Sequence, residues 1–586
     1  MLIVQNRGEQ LLNRIFGRTD MRRIIKYGFF ILLINAAGSV TLNSQQRIPV
    51  QFAEKVILFS DRTLYIAGEH ILFSALIHSG KETYQEELSR VLYCELITPG
   101  GEKITGNKYL VENFFAIGNL TIPDYILTGN YYLRAYTKLM RNEGPSYYYH
   151  ILIKIVNPSR SEVQAANDNN INPESLSDEI KPDIAVNSFL ISTNKSQFSP
   201  RDTVHILVEG IEPVKSPMEV LSLAVVPEFS IPANIVKIPV DEQPGEKVFY
   251  YPETLGLSVT GKLTDNTTGN TLKNARINLS IIGKGREFMA MKTDSAGRFF
   301  FYLPDYTGSR DLFLCSENPG ITDSKILVDN DFCTVPVQIP SNHFTLTPQE
   351  REVAYKMAIN LQLESYFRVD SIPDKNYEQD EYQVFYGKPT DIIFIDKYVQ
   401  LPTIEEYFNE LPTLVKVRKR QGEKYFKILG QQTGLADFEP LVMVDMVAIE
   451  DLPKILAIAP TNISRIEVIN VLYVKGDQIY GGIINIISKN GDFAGINLPS
   501  SGIFINYDFL SVSVPDPKII SLPHSPDTRN TLYWEPQFVL NKNNYAEVSF
   551  MLPDTPGRYL VVLNGIKRNG ETFRQTGAFE VLKQHE

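Results

Sequence analysis

The sequence predicts a mainly β protein, tandem β-sandwiches plus one small α/β domain, and three observations predict it. Apolar runs alternate with a period of two, as in Val56-Ile57-Leu58-Phe59, His70-Ile71-Leu72-Phe73 and Tyr131-Tyr132-Leu133-Arg134-Ala135-Tyr136, and turn signals such as Pro99-Gly100-Gly101, Pro123-Asp124 and Thr128-Gly129-Asn130 punctuate them. Helical spacing takes over in Thr347 to Leu363, with Thr347 as N-cap, Pro348 at the first helical position and Glu350 in the first turn. At 586 residues the chain exceeds the size at which one core stops growing, about 250 to 300 residues, so it divides into several modules. A content of 43% hydrophobic and 21% charged residues excludes disorder throughout. The net charge of -11, spread without blocks, argues against a nucleic-acid partner.

Residues 1–46 read as an N-terminal extension and signal peptide. Met21-Arg22-Arg23-Ile24-Ile25-Lys26 is a basic segment, and Tyr27 to Ala37 is an apolar core too short for a span of about 20 residues. Cleavage is expected between Ser39 and Arg47, where no Cys is present to accept a lipid. Export implies an oxidising compartment, in which Cys94, Cys315 and Cys333 are an odd number. Cys315 and Cys333 flank the Pro319-Gly320 turn and are able to pair, although three buried free thiols are the commoner outcome.

The first sandwich is expected over 47–160. Its opening motif, Asp61-Arg62-Thr63-Leu64-Tyr65-Ile66-Ala67-Gly68-Glu69, recurs as Asn194-Lys195-Ser196-Gln197-Phe198-Ser199-Pro200-Arg201-Asp202 at one constant offset. A second sandwich follows at 185–250, after a polar linker at 161–184. The opening motif, together with Gly129-Asn130-Tyr131-Tyr132-Leu133-Arg134-Ala135-Tyr136-Thr137, resembles macroglobulin-like β-sandwich domains. Residues 251–340, with Gly261, Asn274 to Leu279 and Thr293-Asp294-Ser295-Ala296-Gly297-Arg298-Phe299, resemble the carboxypeptidase-regulatory-like β-sandwich. There Asp294 and Gly297 read as a turn acid and a positive-φ glycine rather than a metal site.

A helical and acidic connector is assigned to 341–398 and an α/β domain to 399–495. Its runs Thr403 to Pro412, Pro440 to Asp445, Ile463 to Val468 and Gly481 to Ile487 resemble the plug domain of TonB-dependent outer-membrane transporters. Too few residues follow it for a transporter barrel. Many plugs read V-D-G-V where this chain has Val444-Asp445-Met446-Val447, and the lost glycine implies relaxed geometry at that turn. A last macroglobulin-like sandwich is assigned to 496–586, opening at Thr531-Leu532-Tyr533-Trp534-Glu535-Pro536, with Trp534 as a core residue. The chain is thus similar to barrel-less plug-domain proteins with tandem immunoglobulin-like or macroglobulin-like sandwiches.

Chemistry is hard to place. The seven histidines show no metal-ligand spacing, no phosphate-binding glycine loop occurs, and no Cys is followed by the Gly-Glu-Gln of a macroglobulin thioester. The expectation is a non-enzymatic protein with no cofactor and no metal. The resemblance implies a cell-envelope scaffold or accessory subunit, associated with the outer membrane through an outer-membrane β-barrel or other envelope protein rather than a span of its own. Partner-docking candidates are Pro440, Asp445, Met446, Lys475, Asp477, Tyr480 and Asn485, although these runs read equally as buried strands. The alternatives are an exported glycan- or peptide-binding module, using aromatics such as Tyr147-Tyr148-Tyr149, and a non-covalent protease inhibitor of macroglobulin type.

Overall fold

The computed structural model describes residues 54–79, 88–164, 189–211, 220–231, 248–283, 287–316, 323–339, 341, 343–367, 384–411, 413–476, 478–512, 526–566 and 572–583, all within the compact unit Glu54–Glu586. The export signal at 1–46, nearly all of the 161–184 linker and the acidic part of the connector lie outside the described residues. Among the described residues no helix is long and apolar enough to cross a membrane.

The chain begins with an antiparallel sandwich built from β1 (Glu54–Ser60), β2 (Leu64–Ile66), β3 (His70–Ser79), β4 (Val91–Ile97), β5 (Lys103–Leu110), β6 (Phe115–Thr121), β7 (Gly129–Tyr136) and β8 (Tyr149–Val156). One sheet has the order β1-β3-β6 and the other β2-β8-β7-β4-β5. Phe73, Leu92, Leu133 and Ile153 fill the space between them. A second sandwich starts with β9 (Phe189–Thr193), β10 (Gln197–Phe198), β11 (Thr203–Gly210) and β12 (Val220–Pro227), and there the chain leaves it.

The third sandwich comprises β13 (Ser258–Asp265), β14 (Arg276–Ile282), β15 (Glu287–Lys292), β16 (Arg298–Tyr302), β17 (Ser309–Cys315) and β18 (Ser324–Val328). It too is interrupted. After a strap, Asp329 to Ile339, and the helix Pro348–Phe367, the chain builds the α/β unit from β19 (Asp391–Phe394), β20 (Val415–Arg420), β21 (Glu423–Ile428), β22 (Leu441–Val444), β23 (Val447–Ala448), β24 (Ile463–Ile469), β25 (Tyr473–Lys475), β26 (Gln478–Tyr480) and β27 (Ile483–Ser488), with short helices at Ile404–Glu410 and Leu452–Leu456. Its main sheet has the order β19-β24-β27-β22-β23. Only then does β28 (Ile503–Asp508) return to pair with β17 at the edge of the third sandwich. Last, β29 (Tyr533–Glu535), β30 (Tyr545–Met551), β31 (Gly557–Ile566) and β32 (Thr572–Val581) complete the second.

This nesting corrects the expected division. Segments 185–250 and 496–586 are not two sandwiches but two halves of one, because β12 pairs with β29 and β31 while β11 pairs with β30. The first part of 496–586, β28, belongs to the third sandwich. The α/β unit also starts earlier than 399, since β19 is paired to its β24.

The second sandwich copies the first strand for strand. Its sheets, β30-β11-β9 and β10-β32-β31-β12-β29, repeat the two orders above, including a parallel pairing of the short second strand with the last one. The repeated opening motif explains the copy locally. Asp61 Oδ1 accepts the Leu72 amide at 3.0 Å, and Asn194 Oδ1 accepts the His205 amide at 3.0 Å. Arg62 pairs with Glu69 and lies over the Tyr65 ring; Lys195 pairs with Asp202 and lies over Phe198. The later strands match as well: Tyr131 at the start of β7 donates its hydroxyl to the Leu127 carbonyl, and Tyr559 at the start of β31 donates to Thr555, each at 2.9 Å.

Buried charges join the first and third sandwiches. Lys138, 1% exposed, donates to Glu253 at 3.2 Å and to the Ser258 carbonyl at 2.8 Å, while Glu253 also accepts from Ser258 and from the Tyr93 hydroxyl. The strap completes the joint: Asp331 pairs with Lys108 at 2.5 Å, Arg134 donates to the Cys333 carbonyl, and Val337 and Ile339 cover Ile97 and Tyr132. Burial works against ionisation of Asp331, but Lys138 and Lys108 outweigh it and hold the carboxyl below its usual range. All three cysteines are buried free thiols.

The helix Pro348–Phe367 starts as its sequence demands. Thr347 and Glu350 bond reciprocally, each side chain to the other's amide, in a capping box. Glu350 then holds Lys154 of β8 at 2.7 and 2.9 Å, and Ala354 and Met357 pack on Leu64 and Ile66.

Two outcomes follow from these buried charges. Replacing Glu253 by Ala leaves Lys138 without its main partner and is expected to cost about 3–5 kcal/mol in denaturant unfolding, whereas the paired change Lys138→Met with Glu253→Leu restores most of that loss. His150, on β8, is fully buried, with Nδ1 3.0 Å from the Tyr148 carbonyl; burial, and then the neighbouring Arg134 charge, push its pKa down to about 3. Its ordinary pKa is 6.5, so the unfolded chain takes up the proton first as the pH falls. The stability that depends on a neutral His150 is therefore complete above pH 6.5 and is lost toward pH 3, by up to about 1.4 kcal/mol per pH unit. His150→Leu is expected to flatten that part of the stability–pH curve, read by urea unfolding between pH 7 and pH 4.

Candidate functional site: the α/β unit and its two faces

The α/β unit turns from β22 to β23 through Asp445 and Met446, whose φ angles are +46° and +75°. That is the left-handed pair a tight hairpin requires, so the turn keeps the geometry that a glycine would favour. The expectation of relaxed geometry is thereby corrected: Met446 sits in strained backbone, at a cost on the order of 1–3 kcal/mol. Neighbouring bonds impose it. The Asp445 carboxylate accepts the Ser488 amide at 2.8 Å, the Ser488 hydroxyl at 2.6 Å and the Phe493 amide at 2.9 Å. The Met446 side chain is buried, and its carbonyl accepts the Ser280 hydroxyl of β14 at 2.9 Å.

That last bond crosses to the third sandwich, and two more docking candidates, Tyr480 and Lys475, lie along the same seam. Tyr480 packs with Leu441, Met443 and Ile483 against Phe288 and Ala290 of β15. Asn485, completely buried, donates to the Tyr386 hydroxyl at 2.8 Å, which itself donates to Glu467 at 2.5 Å. Lys475 lies 3.8 Å from Glu287, and Arg276 of β14 reaches Glu450 and Gln478. Between Lys475 and Gln478, Gly476 is required: its φ is +60° and a Cβ there would stand 2.2 Å from the Ala290 carbonyl. Pro440 is half-buried at the entrance to β22, and Asp477 lies outside the described residues. Met446 and Tyr480 are thus closed to any other protein by the chain's own third sandwich, and Asn485 is buried beneath Tyr386 within the unit.

Among the described residues the unit's opposite edge is open. There β19 is hydrogen-bonded to β24 alone; it buries Ile393 and exposes Ile392 and Phe394, each 38% accessible. Tyr398 and Val399 extend this apolar surface, Val399 with 85% exposure, and Lys397 lies over the Phe394 ring at 4.3 Å. An edge strand presents unpaired backbone donors and acceptors together with these side chains. The apolar, β-favouring run Ile392-Ile393-Phe394 carries the signal for this strand, which the connector assignment hid.

Elsewhere the aromatic and turn residues have structural places. Trp534 is buried between the first two sandwiches with Val226, Val562 and Leu72. Of the three consecutive tyrosines, Tyr147 is exposed, Tyr148 buried and Tyr149 half-buried. Asp294 accepts the Ala296 and Arg298 amides, and Gly297 follows with φ +73°. Among the described residues no group of three or more His, Cys, Asp or Glu side chains is placed to hold a metal.

No protein-family model matches the chain, and no curated protein matches it. Among solved structures it is similar to α-2-macroglobulin from Salmonella reacted with methylamine, at 10% identity over 91% of this chain and 40% of that one, with a TM-score of 0.23. The trypsin-activated α-2-macroglobulin from Escherichia coli gives 11% identity, 90% and 41% coverage and a TM-score of 0.22. The Escherichia coli adhesin FdeC gives 10% identity, 47% and 64% coverage and a TM-score of 0.14. The chain spans about two-fifths of the length of the macroglobulins it matches.

Phe288→Ala at the seam is expected to destabilise the protein by about 3–5 kcal/mol and to make the α/β unit, residues 384–498, the first part released by limited proteolysis.

Proposed function

We propose that the protein is a non-enzymatic scaffold or accessory subunit of the cell envelope, exported by its N-terminal segment, which docks through the α/β unit on an outer-membrane β-barrel. The observation that supports this reading most is the unit's asymmetry. Its seam side is locked to the third sandwich by Phe288, Ser280 and Arg276, while among the described residues the β19 edge stays open with Ile392, Phe394, Tyr398 and Val399 exposed. A unit held so firmly on one side presents the other in a fixed orientation, and an open strand with apolar side chains suits strand addition by a partner segment. The sequence resemblance to a transporter plug adds the class of partner. Pro440, Asp445, Met446, Lys475, Tyr480 and Asn485 then serve by holding the unit in place rather than by touching the partner.

The test is affinity purification of the tagged full-length chain from detergent-solubilised membranes. Co-purification of an integral barrel protein is expected, and the double change Ile392→Lys with Phe394→Lys is expected to remove it while leaving the thermal melt of the purified chain unchanged. Recovery of the chain from the soluble fraction alone, without a membrane partner, overturns the proposal.

A further inference from the structure

The internal copy of one sandwich in another provides a comparison within a single molecule. In the first sandwich, the residues just before and at the start of β7 are covered by the chain itself. Val163 forms a parallel bridge with Thr128, the Gln164 amide donates to the Thr128 carbonyl at 2.8 Å, and a Cβ on Gly129 would meet the Gln164 side chain at 2.7 Å. An extended backbone segment occupies that place.

Tyr131 and Tyr559, which make the same hydroxyl bond, fix the equivalent place in the second sandwich at Pro556 and Gly557. There, among the described residues, nothing comparable lies over the strand. The nearest atom to a Cβ on Gly557 is Lys356 Nζ at 4.0 Å, and no described residue donates to the Pro556 carbonyl. Instead a cleft of about 220 Å³ opens between β31, the loop after β12 and the helix Pro348–Phe367.

The cleft floor is polar and set by buried contacts. Asn360 and Asn530 are 7% and 8% exposed; Asn360 donates to Asn530 Oδ1 at 2.9 Å and accepts the Thr555 hydroxyl at 3.1 Å, while Asn530 donates to Glu69 and to the Met357 carbonyl. Both side chains line the cleft, where their amide groups can meet the backbone amide of a peptide. At the rim, Phe229 holds a φ of +69° and is 47% exposed, an uncommon conformation for a bulky residue and one that keeps its ring out of the core.

We infer that this cleft binds an extended peptide segment of another molecule, in the way the first sandwich binds the chain's own Val163–Gln164. The bound backbone donates to the Pro556 carbonyl, one of its amides meets the Asn360–Asn530 pair, and a side chain packs on Phe229. The inference is independent of what the α/β unit docks on.

The test uses the full chain and a phage-displayed library of random short linear peptides; enriched sequences are made with a fluorescein label and titrated by fluorescence polarisation. Lys356→Trp, a half-buried helix position facing Gly557, fills the cleft and gives up only the surface ion pair with Glu352. Binding is expected to weaken about tenfold or more in that variant. N-methylation of one central amide in the peptide is expected to do the same, since the recognition is of backbone. The inference is overturned if no peptide is enriched above panning without protein, or if the enriched peptides bind Lys356→Trp unchanged.

Discussion

The pairing of β12 with β31, from Val220 opposite Ile566 to Pro227 opposite Tyr559, is the contact on which the architecture depends. It closes the loop that contains the third sandwich, the helix and the α/β unit. For a flexible chain of that span the length-dependent part of the closure entropy alone is roughly 5 kcal/mol. The nesting lowers that cost in stages. β28 pairs with β17 and so brings together the two ends of the α/β unit, and the completed third sandwich in turn brings β12 toward β29 and β31. Folding from the innermost unit outward replaces one long closure by several short ones, each made between elements already ordered.

A nested chain also needs its units fixed against one another, and the joints here are of two kinds. Between the first and third sandwiches the joint is ionic and buried, with Lys138, Glu253, Lys108 and Asp331 neutralising one another. Such groups add little net stability compared with apolar packing, but they tolerate few alternative arrangements, since a shifted unit would leave a charge without its partner. Between the third sandwich and the α/β unit the joint is mainly apolar, with Phe288 and Ala290 against Tyr480 and Met443. Stability there comes from area, and orientation from the Ser280 and Arg276 hydrogen bonds at its margin.

What the sequence made legible was local. The constant offset between Asp61 and Asn194 has a physical basis in two identical side-chain bonds, to Leu72 and to His205, eleven residues on in each case. The Thr347 cap and the first-turn place of Glu350 were readable because they rest on a short stretch of chain, and the core position of Trp534 because a large apolar ring favours burial wherever its partners come from. The joining of 185–250 with 496–586 was not, since a strand carries no mark of which distant strand it will pair with. For the same reason the plug-like motifs showed strands and turns but not which side of them would be covered. Met446 and Asn485 are buried by residues of β14 and the segment around Tyr386, far away in sequence.

The two copies of the sandwich also show how one fold divides its roles. In the first, the outer positions Ile97, Tyr132 and Gly129 are closed by other parts of the chain: the strap covers the first two, and Gln164 covers the third. In the second, the same fold shares its outer face with the first sandwich at Trp534 and Leu72, yet no described residue covers the start of β31 beside the helix as Gln164 covers Gly129. Fold and opening motif are common to both copies, so they do not account for the difference; the covering segments do. Buried polar groups cost free energy unless they are matched, and a strained Phe229 persists only where surrounding structure enforces it. The second copy holds both features at its cleft, next to a helix that contacts both sandwiches.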